Sequence, residues 1–105
     1  MSDTEQRLKA VAQELQIVRQ QHTAVTSQID ELNSTLQVLK EQSVSQAVYR
    51  TRGTMLFEVE DRDALSNELI TTGEALAELL SRLENREGEL IESYETIIKE
   101  LEDEV

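Results

Sequence analysis

AVYRTRGTMLFEVE, residues 47–60, interrupts the pattern on either side of it. Before and after this stretch, apolar residues recur at three- and four-residue steps, the spacing of one helix face. Within it, β-branched and aromatic residues gather around a lone glycine. Val48-Tyr49-Arg50-Thr51-Arg52 and Thr54-Met55-Leu56-Phe57-Glu58-Val59 read as two strands. The second places Met55, Phe57 and Val59 on one face, with Leu56 and Glu58 on the other. Gly53 supplies the positive φ that a tight turn needs. An isolated two-stranded hairpin is marginal in water and exposes unpaired edges. This one carries Met, Leu and Phe in a chain with no other core to cover them. Its strands are therefore expected to pair with strands from other chains, which points to an oligomer.

Working outward, the N-terminal segment holds its period closely. Leu8, Val11, Leu15, Val18, His22, Val25, Ile29, Leu32, Leu36 and Leu39 alternate three- and four-residue steps, and only His22 is not apolar. A seven-residue repeat sustained this long is the signature of a coiled-coil seam. Residues 4–42 are expected to form one helix, about 58 Å long at 1.5 Å per residue.

The C-terminal helix is expected over residues 62–105, with Asp61 or Asp63 as its N-cap. Its seam reads Leu65, Leu69, Thr72, Leu76, Leu79, Leu83, and then Ile91, Tyr94, Ile98, Leu101, Val105. Passing from Leu83 through Glu87 and Ile91 to Tyr94 takes steps of four, four and three. That is an eleven-residue stutter, which unwinds a supercoil locally. Gly88 lies inside it, at a cost of about 1 kcal/mol relative to alanine. Folding the chain about Gly53 pairs Leu39 with Leu65, Leu36 with Leu69, Ile29 with Leu76 and Val25 with Leu79, and sets His22 opposite Leu83 beside the stutter. Ile98, Leu101 and Val105 then fall near or beyond the end of the first helix.

The composition agrees with this architecture. Aromatic residues make up 3%, proline and cysteine are absent, and there are three glycines. That is the mix of long helices, not of a packed globule. The net charge is −12, and 14 of the 22 acids lie in residues 61–105. Such a chain is a poor ligand for nucleic acid or anionic membranes. No apolar run approaches membrane-spanning length and no signal-peptide core opens the chain, so a soluble, cytoplasmic protein is expected.

Chemistry is hard to place on these residues. Nucleophilic catalysis needs a nucleophile beside a base in a pocket, and the lone His22 sits on a seam. His22 reads as a tolerated polar seam residue before a metal ligand or a pH switch. Glu58, Glu60, Asp61 and Asp63 lack the glycine and distal glutamate of a calcium loop, and read as a strand end running into a helix cap. No enzyme activity, metal or cofactor is expected. The acidic stretch from Glu84 to Glu104 reads as a solvated helix face, with docking to a basic partner as the alternative. Leu8 and Val11 on one helix, with Ile97, Ile98, Leu101 and Val105 on the other, form an apolar end without a loop to cover it. Exposed apolar patches of this kind mark interaction sites, with a frayed terminus and some end-to-end association as the alternative.

These parts resemble a known family. Val48-Tyr49-Arg50, Gly53, Leu56-Phe57 and Val59, followed by Asp61-Arg62-Asp63-Ala64-Leu65, are similar to the hairpin and second-helix start of β-class prefoldin subunits. The specific match spans roughly residues 47–69, and Arg52 departs from the small or apolar residue usual before the glycine. The resemblance implies a single domain, 1–105: a mainly α antiparallel coiled-coil hairpin, with a β-hairpin at 47–60 that joins an oligomeric β-barrel. It implies a hexamer of two α-class and four β-class subunits, so that partners are α-class subunits and further copies of this chain. It further implies an ATP-independent holdase that captures unfolded or nascent polypeptides and passes them to a group II chaperonin. Carried over by position, Val48, Tyr49, Gly53, Met55, Leu56, Phe57 and Val59 would be the assembly surface. Leu8, Val11, Ile97, Ile98, Leu101 and Val105 would be client contacts. The alternative reading is a structural coiled-coil adaptor that oligomerises through the same hairpin.

Overall fold

The computed structural model describes residues 2–104. The chain runs α1 (Asp3–Glu41), β1 (Tyr49–Arg52), β2 (Met55–Glu58), α2 (Arg62–Glu104). It is a mainly α fold of two long helices with a short antiparallel β-hairpin between them, as the sequence pattern predicts. The chain divides into two compact units, each containing part of both helices. One joins the described residues up to Ser27 with those from Glu78 onward, and the other is Gln28–Ala77.

Both helix starts are held by side chains. The Glu5 amide donates to Ser2 Oγ at 3.1 Å, and the Ser2 hydroxyl donates to Glu5 Oε1 at 3.3 Å, which covers orphan groups of the first turn of α1. At α2 the Ala64 amide donates to Asp61 Oδ1 at 2.9 Å, so Asp61 rather than Asp63 is the cap. No glycine or proline interrupts the 39 residues of α1, so propagation is unopposed once the cap is in place.

In the unit containing the chain's ends, residues of rising number on α1 meet residues of falling number on α2. Thr4 Oγ1 donates to Glu104 Oε1 at 2.6 Å, Arg7 pairs with Glu100 at 2.9 Å, Glu14 with Arg86 at 2.6 Å, and Arg19 with Glu87 at 3.2 Å. The helices are antiparallel there, and Val18, Val25, Leu90 and Ile97 are buried between them. In the unit containing the hairpin, Ile29, Leu32, Leu36 and Leu39 are half-buried on α1, while α2 contributes buried Leu65 and half-buried Leu69, Gly73 and Leu76. A Cβ on Gly73 would lie 3.3 Å from Leu32 Cδ2, so at this level the helix backbone itself approaches the facing leucine.

The α1 seam is the one read from the sequence, extended by Thr4, which is 8% exposed. The α2 seam differs. Its less exposed positions are Leu69, Gly73, Leu76, Leu80, Leu83, Glu87, Leu90, Ile97 and Leu101; with Tyr94, which falls in phase between Leu90 and Ile97 but is 37% exposed, they alternate four- and three-residue steps. Thr72 and Leu79 face outward, Leu79 being 37% exposed, whereas Leu90 and Ile97 are 2% and 4% exposed. The expected stutter from Leu83 to Tyr94 is therefore absent, and the four–four step lies at Leu65–Leu69–Gly73 instead.

The reason is local. Leu79-Leu80, Leu90-Ile91 and Ile97-Ile98 are adjacent apolar pairs, and one residue is about 100° of helix rotation. Choosing the inward member requires phasing through Gly73 and Glu87, neither of which carries an apolar signal. Gly88 points away from the seam, with nothing within 4 Å of where a Cβ would stand. The pairing of Val25 with Leu79 gives way to the level of Leu80. Ile98 and Leu101 do not lie beyond α1, because Thr4 still reaches Glu104.

This phasing is testable by denaturation. Leu90→Ala is expected to cost about 2–4 kcal/mol of unfolding free energy, as a buried truncation does. Leu79→Ala should cost less than Leu90→Ala, since Leu79 is 37% exposed and Leu90 2%. Gly88→Ala should raise stability by up to about 1 kcal/mol, since it removes the helix cost of glycine without a steric conflict.

Candidate functional site

The hairpin closes through Gly53, whose φ is +61°. Among the described residues no non-glycine has positive φ, so only the first of the two turn residues, Gly53-Thr54, is left-handed. That is the pattern of a type II′ turn, whose twist matches that of the flanking strands. The register pairs Tyr49 with Glu58, Arg50 with Phe57, Thr51 with Leu56 and Arg52 with Met55. The ladder gains one more bond at its base, where the Val59 amide donates to the Val48 carbonyl at 2.8 Å.

That bond sets the phase of the whole ladder. Hydrogen-bonded and non-hydrogen-bonded pairs alternate in antiparallel strands. Val48/Val59, Arg50/Phe57 and Arg52/Met55 therefore exchange the internal bonds. The amides and carbonyls of Tyr49 and Thr51 on one edge, and of Leu56 and Glu58 on the other, point outward. Cross-strand partners share a face, so Val48, Arg50, Arg52, Met55, Phe57 and Val59 lie on one side and Tyr49, Thr51, Leu56 and Glu58 on the other. Tyr49, Met55, Leu56 and Phe57 are 59%, 61%, 66% and 45% exposed. Both faces and both edges of the two-stranded sheet are open.

The hairpin is anchored at its base. Arg50 Nη1 and Nη2 donate to Glu68 Oε2 and Oε1 at 3.1 and 3.3 Å, a two-pronged bond from β1 to α2. The hydrogen bond from Arg50, then its charge, holds the Glu68 carboxyl below the usual glutamate range, and Glu68 raises the Arg50 guanidinium in turn. Arg62 donates to the Gln46 carbonyl, and Gln42 Nε2 donates to the Ala47 carbonyl at 3.4 Å. Within the connecting loop the Gln46 amide donates to the Ser43 carbonyl at 3.1 Å, while the Ser43 amide donates to Gln46 Oε1 at 3.2 Å. Val44, 94% exposed, stands at the surface of this loop.

The acidic group beside the hairpin behaves as a cap. Asp61 is engaged with the first turn of α2, and no group of three or more potential metal ligands occurs among the described residues. His22 is half-buried within the α1 seam. Of the residues expected at an apolar end, Leu8, Val11, Ile98 and Leu101 are half-buried and Ile97 is buried, all within the helix pair. Val105 lies outside the described residues. The structure thus brings the hairpin residues together as an open surface, and sets the terminal apolar residues in or beside a seam. Sequence reasoning missed the Arg50–Glu68 anchor, for which 18 residues of separation gave no local signal. Among the described residues no helix is long and apolar enough to cross a membrane.

Two long helices joined by an anchored β-hairpin, with its apolar faces and edges uncovered, define the class of protein. The prefoldin subunit family matches residues 2–105, and the chain belongs to that family. The structure is similar to the crystal structure of the prefoldin beta subunit from Thermococcus strain KS-1. The TM-score is 0.83 at 26% identity, covering 95% of this chain and 87% of that one. No curated protein matches the sequence.

The anchor generates a pH-dependent expectation. Because the folded value of Glu68 lies below the ordinary one, the pair's contribution to stability is present above the usual glutamate range. It is lost as pH falls through the lowered value. A carboxyl-carbon NMR titration should find the Glu68 midpoint below that of a free glutamate, and Arg50→Gln should move it upward. An unchanged midpoint in Arg50→Gln would show that the fork does not persist in solution.

Proposed function

We propose that this chain, a chaperone-type subunit by family, is a β-class subunit that acts as an ATP-independent holdase without enzymatic activity. The observation that carries the reading is the open hairpin in a chain of this family. Its edges at Tyr49/Thr51 and Leu56/Glu58 are free to accept foreign strands, and its apolar side chains have no cover within the chain. Val48, Tyr49, Gly53, Met55, Leu56, Phe57 and Val59 are the assembly surface in this reading. The partners are α-class prefoldin subunits and further copies of the chain, in a hexamer whose hairpins close a barrel. Closure is the physical remedy for unpaired edges.

Leu8, Val11, Ile97, Ile98 and Leu101, with Val105, are the client surface of the same reading. The burial of Ile97 adds a requirement: it becomes available to a client only as the helix ends part. The bonds that hold those ends, Thr4–Glu104 and Arg7–Glu100, include an exposed ion pair of small net worth. Clients are unfolded or nascent polypeptides in the cytoplasm, passed on to a group II chaperonin.

The test is native mass and aggregation suppression together. The chain should form a defined hetero-oligomer when coexpressed with an α-class subunit, and Phe57→Asp should abolish it. The oligomer should suppress aggregation of a denatured client without ATP. Removing residues 97–105 should eliminate that suppression while leaving the native mass of the oligomer intact, apart from the deleted residues. An oligomer with no affinity for generic unfolded chains would support the adaptor reading instead.

A further inference from the structure

Sulfur is scarce in this chain, and its placement is informative. The sequence holds no cysteine and two methionines, Met55 and Met1, the second outside the described residues. Met55 opens β2 and follows the Gly53-Thr54 turn directly. Its side chain is 61% exposed. It shares a face of the hairpin with Phe57 and Val59 on its own side, and with Arg52 directly across the ladder. Arg52 forms no ion pair among the described residues, whereas Arg50, two residues earlier on the same face, is held by both carboxylate oxygens of Glu68. The hairpin tip therefore sets a thioether in water, on an otherwise apolar surface, opposite an unengaged guanidinium. With no cysteine in the chain, thioethers are the sulfur groups left for a peroxide to oxidise.

We propose that Met55 is an oxidation switch that controls whether the free chain can enter its oligomer, with Arg52 as the group that favours the oxidised state. The inference rests on the reading of the hairpin as the assembly surface and adds a regulation to it. Hydrogen peroxide transfers one oxygen atom to the Met55 sulfur. A sulfur lone pair forms the S–O bond, the O–O bond breaks and the peroxide leaves as water, so sulfur loses two electrons and the peroxide gains them. The product, methionine sulfoxide, is polar and a strong hydrogen-bond acceptor. Two effects then act in one direction. A neighbouring subunit that covers residue 55 must bury that acceptor where an apolar group lay before. In the free hairpin, by contrast, the Arg52 donors stand across the ladder to satisfy it. Access sets the timing: the thioether is open in the unassembled chain and covered in the oligomer, so oxidation acts on chains awaiting assembly. Methionine sulfoxide reductases undo the step, releasing the oxygen as water while a pair of their thiols becomes a disulfide.

The experiment uses the full chain, untreated or treated with hydrogen peroxide, then mixed with an α-class subunit. Peptide mass mapping reports oxygen at residue 55, and native mass reports assembly. Peroxide should oxidise Met55 in the free chain and spare it in the preformed oligomer. The oxidised chain should assemble about tenfold more weakly, and treatment with methionine sulfoxide reductases should restore it. Met55→Leu, which keeps the volume and removes the sulfur, should assemble as untreated wild type with or without peroxide. In Arg52→Ala the loss on oxidation should shrink to a few-fold. Equal assembly of oxidised and untreated wild type overturns the switch while leaving the assembly reading intact. So does an equal loss in peroxide-treated Met55→Leu, which would place the damage at another residue. An undiminished loss in Arg52→Ala removes Arg52 from the switch. Absence of any oligomer in the untreated arm sinks the assembly reading, and the switch with it.

Discussion

Two helices packed on each other have one seam, and a chain built this way can bury only what falls on it. Each three- or four-residue step on α1 places one residue inward, and α2 answers with its own. Of the large apolar residues, Val18, Val25, Leu65, Leu90 and Ile97 are buried. Ile17, Val38, Ile70 and the hairpin's Tyr49, Met55, Leu56 and Phe57 stay substantially in water because no third layer covers them. In a compact domain such exposure would be a fault. In a chain of the prefoldin subunit family it leaves surfaces open for other subunits, and the seam is what holds those surfaces in place.

The seam is not uniformly apolar, and its exceptions have different effects. Gly73 lets the helix backbone come against Leu32. Glu87 takes an inward position and is met by Arg19. Thr4 ends the α1 seam with a hydrogen bond to Glu104. Each polar or small position lowers local burial and so local stability, while exposed ion pairs across the flanks add little and are screened by salt. Register is thus carried mainly by the buried leucines, valines and isoleucine. Ion pairs cross both flanks, Arg7–Glu100 and Glu14–Arg86 on one and Arg19–Glu87 on the other.

How much was legible follows from where each signal resides. The α1 seam could be read residue by residue, because its ten positions contain a single polar interruption. The hairpin, its Gly53 turn and the faces of its second strand were equally legible, since period two and a positive-φ glycine are local properties. The phase of α2 was not. At Leu79-Leu80, Leu90-Ile91 and Ile97-Ile98 the pattern offers two apolar neighbours, and the inward one is chosen only by fitting against α1 through Gly73 and Glu87.

The sequence by itself determined two helices, their antiparallel pairing and a β-hairpin between them. All of these rest on periodicity and turn chemistry, which act over a few residues. Tertiary structure alone decided the α2 phase, the anchoring of Arg50 to Glu68, and the persistence of pairing out to Thr4 and Glu104. Those depend on contacts between residues far apart in the chain, where a shift of one residue turns a buried side chain into a solvated one.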